Sequence, residues 1–178
     1  MLAALLLALS TASASVRWIS EPTVSGLGED YRATARASMD APLDAVTAVL
    51  HDVAGYGDWV PTVSRVEVVD ADGEVVRARL YHVIPLLPDF PCEIVLRYAE
   101  VQGRLSVFVE FVECIFDDQS FRVTVESGGQ GTLLDIEWSA RLDRWYVPDA
   151  TLRAFLRSSV RAAPERLDAR AVPLGAAR

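Results

Sequence analysis

Two histidines, two cysteines and a few carboxylates are the residues of this 178-residue chain with the most chemistry to offer. His82, Tyr98 and Glu113 stand out, because strand alternation turns all three toward the interior. An imidazole or carboxylate held in apolar surroundings can serve as a general base on an enolisable substrate. The plainer alternative is a core His82 satisfied by neighbouring backbone or by Tyr98, and a Glu113 that reaches solvent from a strand end. His51 falls at a helix C-terminus, where the dipole favours a cation and no catalytic role is needed. Asp117 and Asp118 fall in a turn and face water. Cys92 and Cys114 lie near facing ends of one predicted hairpin. A regular register sets Cys92 opposite Glu113 and turns Cys114 to the other face, so a disulfide requires a bulge and the regular pattern disfavours it.

Absences narrow the chemistry further. There is no P-loop, dinucleotide glycine fingerprint, GxSxG elbow or metal-ligand spacing, so neither cofactor nor metal is expected. The net charge is −8 and every basic residue is Arg, a surface that phosphate backbones repel; nucleic acid is excluded as a partner. With 51% hydrophobic residues, the chain suffices for one domain with a substantial core. Residues 2–9 form an apolar run too short to span a bilayer as a helix. Ala12-Ser13-Ala14 follows, a small-x-small cleavage pattern. Residues 1–14 are therefore expected to be a secretory signal, and the mature protein periplasmic or secreted.

The elements that must position the polar residues follow from periodicity. Residues 15–30 read as a lead-in or an irregular first strand. From 31 to 39, Tyr31, Ala33, Ala35, Ala37 and Met39 alternate with polar residues, which predicts a strand with one wet face. Asp40 and Pro42 signal a helix start, and Leu43, Val46, Val49, Leu50 and Val53 give it an apolar stripe. Gly55, Gly57 and Pro61 break off a second short turn holding Tyr56 and Trp59. Strands are predicted at 62–70, 75–84, 92–101, 104–114, 119–127 and 131–142, joined by hairpin-length connections. After Pro148-Asp149, the positions Leu152, Phe155, Leu156, Val160, Ala163 and Leu167 share one face of a long helix. A kink is expected at Pro164, and a frayed tail over 171–178.

This order predicts an α+β domain over 31–170. A curved antiparallel sheet of about seven strands wraps a long C-terminal helix, with two short helices between strands one and two, because only sheet and helix can cover each other's apolar faces. Parity then sets an inward wall. It includes Leu80 and His82, then Leu96 and Tyr98, Val109 and Phe111, Phe121, and Trp138, with Phe155 opposite on the helix. These are the candidate ligand-binding residues. The proline-rich stretch 85–91 presents Leu86, Leu87 and Phe90 as a candidate gate or membrane-touching lip. Trp59, Trp145 and Tyr146 either rim the same opening or belong to the core.

Several stretches resemble a known group of proteins. These are Ala33-Thr34-Ala35-Arg36-Ala37-Ser38-Met39-Asp40-Ala41-Pro42, Val49-Leu50-His51-Asp52-Val53, Tyr56-Gly57-Asp58-Trp59-Val60-Pro61 and the hairpin Gly128-Gly129-Gln130-Gly131-Thr132. Together with the final helix they resemble the START-like superfamily of helix-grip proteins, which includes lipid-transfer domains, polyketide cyclases and coenzyme-Q-binding proteins. Where many bacterial members carry an Arg-Asp pair after the proline-rich loop, this chain has Pro91-Cys92. The resemblance implies a cavity for a hydrophobic small molecule (a lipid, sterol or quinone), and it favours a void over close packing at the three alanines. The expected protein is a monomeric carrier that touches membranes transiently, with a cyclase-like enzyme as the alternative.

Overall fold

Alternation decides the first buried face. Ala33, Ala35, Ala37 and Met39 all point inward from β2 (Asp30–Met39), while Arg32, Thr34, Arg36 and Ser38 point out. The computed structural model describes residues 16–27, 29–83, 89–114, 117–141 and 149–176. Ahead of β2 runs β1 (Arg17–Leu27). After it come α1 (Leu43–His51), a single 3-10 turn (Val53–Gly55) and α2 (Tyr56–Trp59). The meander follows as β3 (Val63–Asp72), β4 (Val75–His82), β5 (Phe90–Val101), β6 (Arg104–Glu113), β7 (Asp117–Gly128) and β8 (Gly131–Arg141), and α3 (Asp149–Ala176) closes the chain.

All eight strands form one curved antiparallel sheet in the order β1-β2-β8-β7-β6-β5-β4-β3. That is one strand more than the alternation predicted. The segment read as a lead-in or an irregular first strand is β1, whose pairing with β2 shifts register between Trp18 and Ser20 and again between Ser20 and Thr23. Such irregularities break the two-residue period by which strands are recognised. Elsewhere the expected pairings hold. The Gln102-Gly103 turn, with both residues at positive φ, pairs Tyr98 with Val107 and Leu96 with Val109. In the β7–β8 turn, Gly131 has φ +130°, and a Cβ there would collide with the Met39 carbonyl.

The helices differ from expectation at their ends. Pro42 occupies the cap position of α1, and no side chain of the preceding residues caps it. Instead Asp168 of α3 reaches across, its Oδ1 accepting the Ala41 N–H at 2.8 Å. Thr132 of β8 donates to the Ala41 carbonyl at 2.7 Å. The tail expected to fray is helical through Ala176: Ala171 is fully buried, and Gly175 packs against Pro42 so closely that a Cβ would sit 2.6 Å from the proline ring. At the other end, Tyr31 donates to Asp149 at 2.6 Å, and Arg153 donates to the same carboxylate at 2.7 Å. The helix is thus pinned at both ends across the concave face. Among the described residues no helix is long and apolar enough to cross a membrane.

The cysteine pair corrects the regular register. Ile94 pairs with Phe111, yet the next pair along is Glu93 with Glu113, so Val112 is an extra residue on β6. This bulge brings Cys114 opposite Cys92, and the two form a disulfide. It also reverses parity at the strand end: Glu113, expected inside, is exposed. In the chain-entropy account, a bridge spanning 22 positions restricts the unfolded chain and contributes about 3 kcal/mol. Replacing both cysteines by serine is therefore expected to lower the unfolding free energy by about that amount in urea denaturation. An unchanged midpoint would show that the bridge constrains nothing.

Candidate functional site

The concave side of the sheet and α3 do not fill the space between them. A cavity of about 140 Å³ remains. One buried water needs roughly a tenth of that. From α3 the wall takes Leu152, Phe155, Leu156, Ser159, Val160 and Ala163. From the sheet it takes Leu80 and His82 on β4, Val109 and Phe111 on β6, Phe121 on β7, and Ile136 and Trp138 on β8. Leu50, Tyr56, Trp59 and the segment from Val60 to Val63 close one side.

Most residues expected to face a ligand do come together here: Leu80, His82, Val109, Phe111, Phe121, Trp138 and Phe155 all line the cavity. Phe111, Phe121, Trp138 and Phe155 are only partly buried despite pointing inward. Two expected residues are not in the lining. Leu96 is fully buried in the core, and Tyr98 is committed to α1. Its hydroxyl donates to the Leu50 carbonyl at 3.0 Å, and His51 stacks on its ring at 4.3 Å. Tyr56 donates to the same carbonyl at 2.6 Å. Burial pushes both phenols above their ordinary range, so they remain protonated donors. Of the candidate gate, Leu86 and Leu87 lie outside the described residues, as do Trp145 and Tyr146. Phe90 is half-buried at the start of β5, its ring 5.7 Å from that of His82.

No Asp, Glu or Arg lines the cavity among the described residues. The charges stand on the convex face, where cross-strand pairs such as Arg79–Glu93 at 2.6 Å and Arg36–Asp135 at 3.4 Å neutralise one another. The polarity inside comes from neutral groups. His82 is buried, and desolvation lowers its imidazole pKa to about 4 against the opposing pull of a hydrogen bond to the Thr62 backbone. Its Nε2, the Trp59 indole nitrogen and the Gln119 carbonyl oxygen are buried without a partner among the described residues. Gln119 was missed from sequence although it shares parity with Phe121, Val123 and Val125, because a polar residue at a strand start reads as exposed. Trp59 was legible only as a rim or core aromatic, since its helix has a single turn.

The profile of one family spans residues 31–172 of the chain: the family described as polyketide cyclase / dehydrase and lipid transport. The chain belongs to this family. It is a START-like protein, and solved structures share its fold. The STAR-related lipid transfer protein of Xanthomonas axonopodis superimposes with a TM-score of 0.63 at 15% identity, covering 84% of this chain and 98% of that one. A protein of Thermus thermophilus gives 0.64 at 20% identity, over 82% and 98% of the two chains. The di-domain ARO/CYC BexL, from the BE-7585A biosynthetic pathway, gives 0.61 at 17% identity, over 80% of this chain and 50% of that one. No curated protein sequence matches the chain.

In this START-like cavity the buried imidazole links site to stability. An unfolded His82 takes up a proton near pH 6.5, whereas the folded one resists protonation until about pH 4. Between those values the unfolded state binds more protons, so folding stability falls as pH falls. The wild-type protein should lose up to about 3 kcal/mol relative to a His82→Leu variant between pH 7 and pH 4. Paired urea titrations at the two pH values check this. A pH-independent difference would place the imidazole in water.

Proposed function

We propose that this protein binds a hydrophobic small molecule between its sheet and C-terminal helix and acts as a carrier rather than a catalyst. The observation that carries the reading is the cavity, lined by aliphatic and aromatic side chains and free of charge among the described residues. Burial of apolar ligand surface, at about 25 cal/mol per Å², supplies the affinity. Catalysis by proton transfer needs a base near its operating pH with a second group beside it. His82 is held neutral and weakly basic, and among the lining residues no carboxylate or thiol accompanies it.

On this reading the carrier works in the periplasm or outside the cell, as a monomer that exchanges ligand at a membrane. The Cys92–Cys114 bridge supports this location, because such bonds persist in oxidising compartments. The leader and most of the candidate lip, residues 85–88, lie outside the described residues. A cyclase is the second reading. It is favoured by an unpartnered His82 Nε2 inside the cavity and by the likeness to BexL. Loss of cyclisation of a linear polyketone thioester in His82→Ala, with wild type active, would select it.

Native mass spectrometry of the purified protein is expected to release a bound hydrophobic molecule, or to show uptake of an added one. A protein that stays empty with sterol, quinone and acyl lipids would overturn the carrier reading. Filling the void should act in the same sense. Val123→Phe adds an aromatic ring to the cavity wall and is expected to weaken ligand uptake at least tenfold. The far-UV circular dichroism should stay unchanged, as the ring enters vacant space rather than packed core.

A further inference from the structure

The three polar atoms of the cavity that lack a partner among the described residues all belong to residues of its wall. Trp59 and His82 both line the cavity, and Val63, four residues after Trp59, pairs with His82. Phe111 lies beyond, its ring 6.0 Å from that of His82. Glu110 pairs with Ser120, so Gln119 adjoins Phe111 on the next strand. His82, Trp59 and Gln119 are each more than nine-tenths buried. Otherwise the wall is predominantly apolar.

Their chemistry is complementary. The indole nitrogen of Trp59 only donates. The neutral imidazole of His82 presents Nε2, which has no partner among the described residues, as an acceptor in one of its two tautomers. The Gln119 oxygen is a second acceptor.

We propose that the ligand is an uncharged lipid alcohol, whose hydroxyl accepts from Trp59 Nε1 and donates to His82 Nε2 or Gln119 Oε1. The assignment rests on the carrier reading above and sharpens it to one class of head group. A pure hydrocarbon leaves all three atoms unsatisfied. A carboxylate or phosphate would enter an apolar space with no cation among the described lining residues, against a histidine that stays neutral at physiological pH. Of these head groups the hydroxyl supplies both a donor and an acceptor.

Equilibrium dialysis of the full chain at pH 7.5 against dodecan-1-ol, dodecanoate and dodecane tests this with the chain length held constant. The alcohol is expected to bind at least tenfold tighter than either of the others. In His82→Leu and Gln119→Leu, alcohol affinity should fall roughly tenfold while dodecane binding is kept or strengthened, which also shows that the variants fold. Dodecanoate or dodecane binding as tightly as the alcohol in the wild-type protein would overturn the head-group assignment and leave the carrier intact. So would a full alcohol preference in both variants. Should none of the three bind, the head-group assignment fails, and the carrier reading fails with it only if sterol, quinone and acyl lipids are refused as well. The wild-type comparison decides on its own if the variants do not fold.

Discussion

The structure turns on the backbone of Ala41, a fully buried residue at the junction of β2 and α1. Its N–H is accepted by Asp168 from the terminal helix, and its carbonyl receives the hydroxyl of Thr132 from β8. Both side chains are almost wholly buried, where an unsatisfied peptide group is costly, so the two bonds hold the helix, the sheet and the first short helix in one arrangement. Burial also raises the Asp168 carboxyl above its ordinary range, the mark of a group placed for position rather than for charge. With the distal half of α3 fixed here, and its first turn tied to Tyr31 through Asp149, the middle of the helix spans the concave sheet without being drawn onto it. The cavity is the consequence of that span.

Once the void exists, the partition of charge follows. Strand alternation sends Arg, Asp and Glu to the convex face, where they pair across strands at modest energetic gain. What remains inside is apolar surface and a few neutral polar atoms. A site of this kind holds ligands by exclusion of water and sorts them by hydrogen-bond matching, and it supplies little of the fixed charge that stabilises ionic transition states. Family membership spans both lipid transport and cyclisation. His82 has no acid or nucleophile beside it among the described lining residues, and that is what supports the proposal of binding over catalysis.

One inserted residue alters the composition of the site's edge. Without the bulge at Val112, Glu113 would project inward and the cysteines would stay apart. With it, an acidic group leaves the interior and a covalent link joins β5 to the end of β6. Hydrophobic alternation carries no mark of such an insertion when the residues on either side are themselves apolar or few.

Much of this was legible in the amino-acid order alone. Period-two alternation identified the inward faces of β2 and of β4 to β8, the Gln102-Gly103 turn set their register, and the stripe from Leu152 to Leu167 identified the helix that covers them. Those signals are local and need only backbone geometry. The extra strand β1, the helical tail, the inward turn of Gln119, the capture of Tyr98 by the Leu50 carbonyl and the disulfide were settled only in the folded molecule. Each depends on a bulge, a cap or a contact between segments far apart in the chain. Which polar atoms end up buried without a partner is likewise a property of three-dimensional packing, because an atom is unsatisfied only relative to everything that surrounds it.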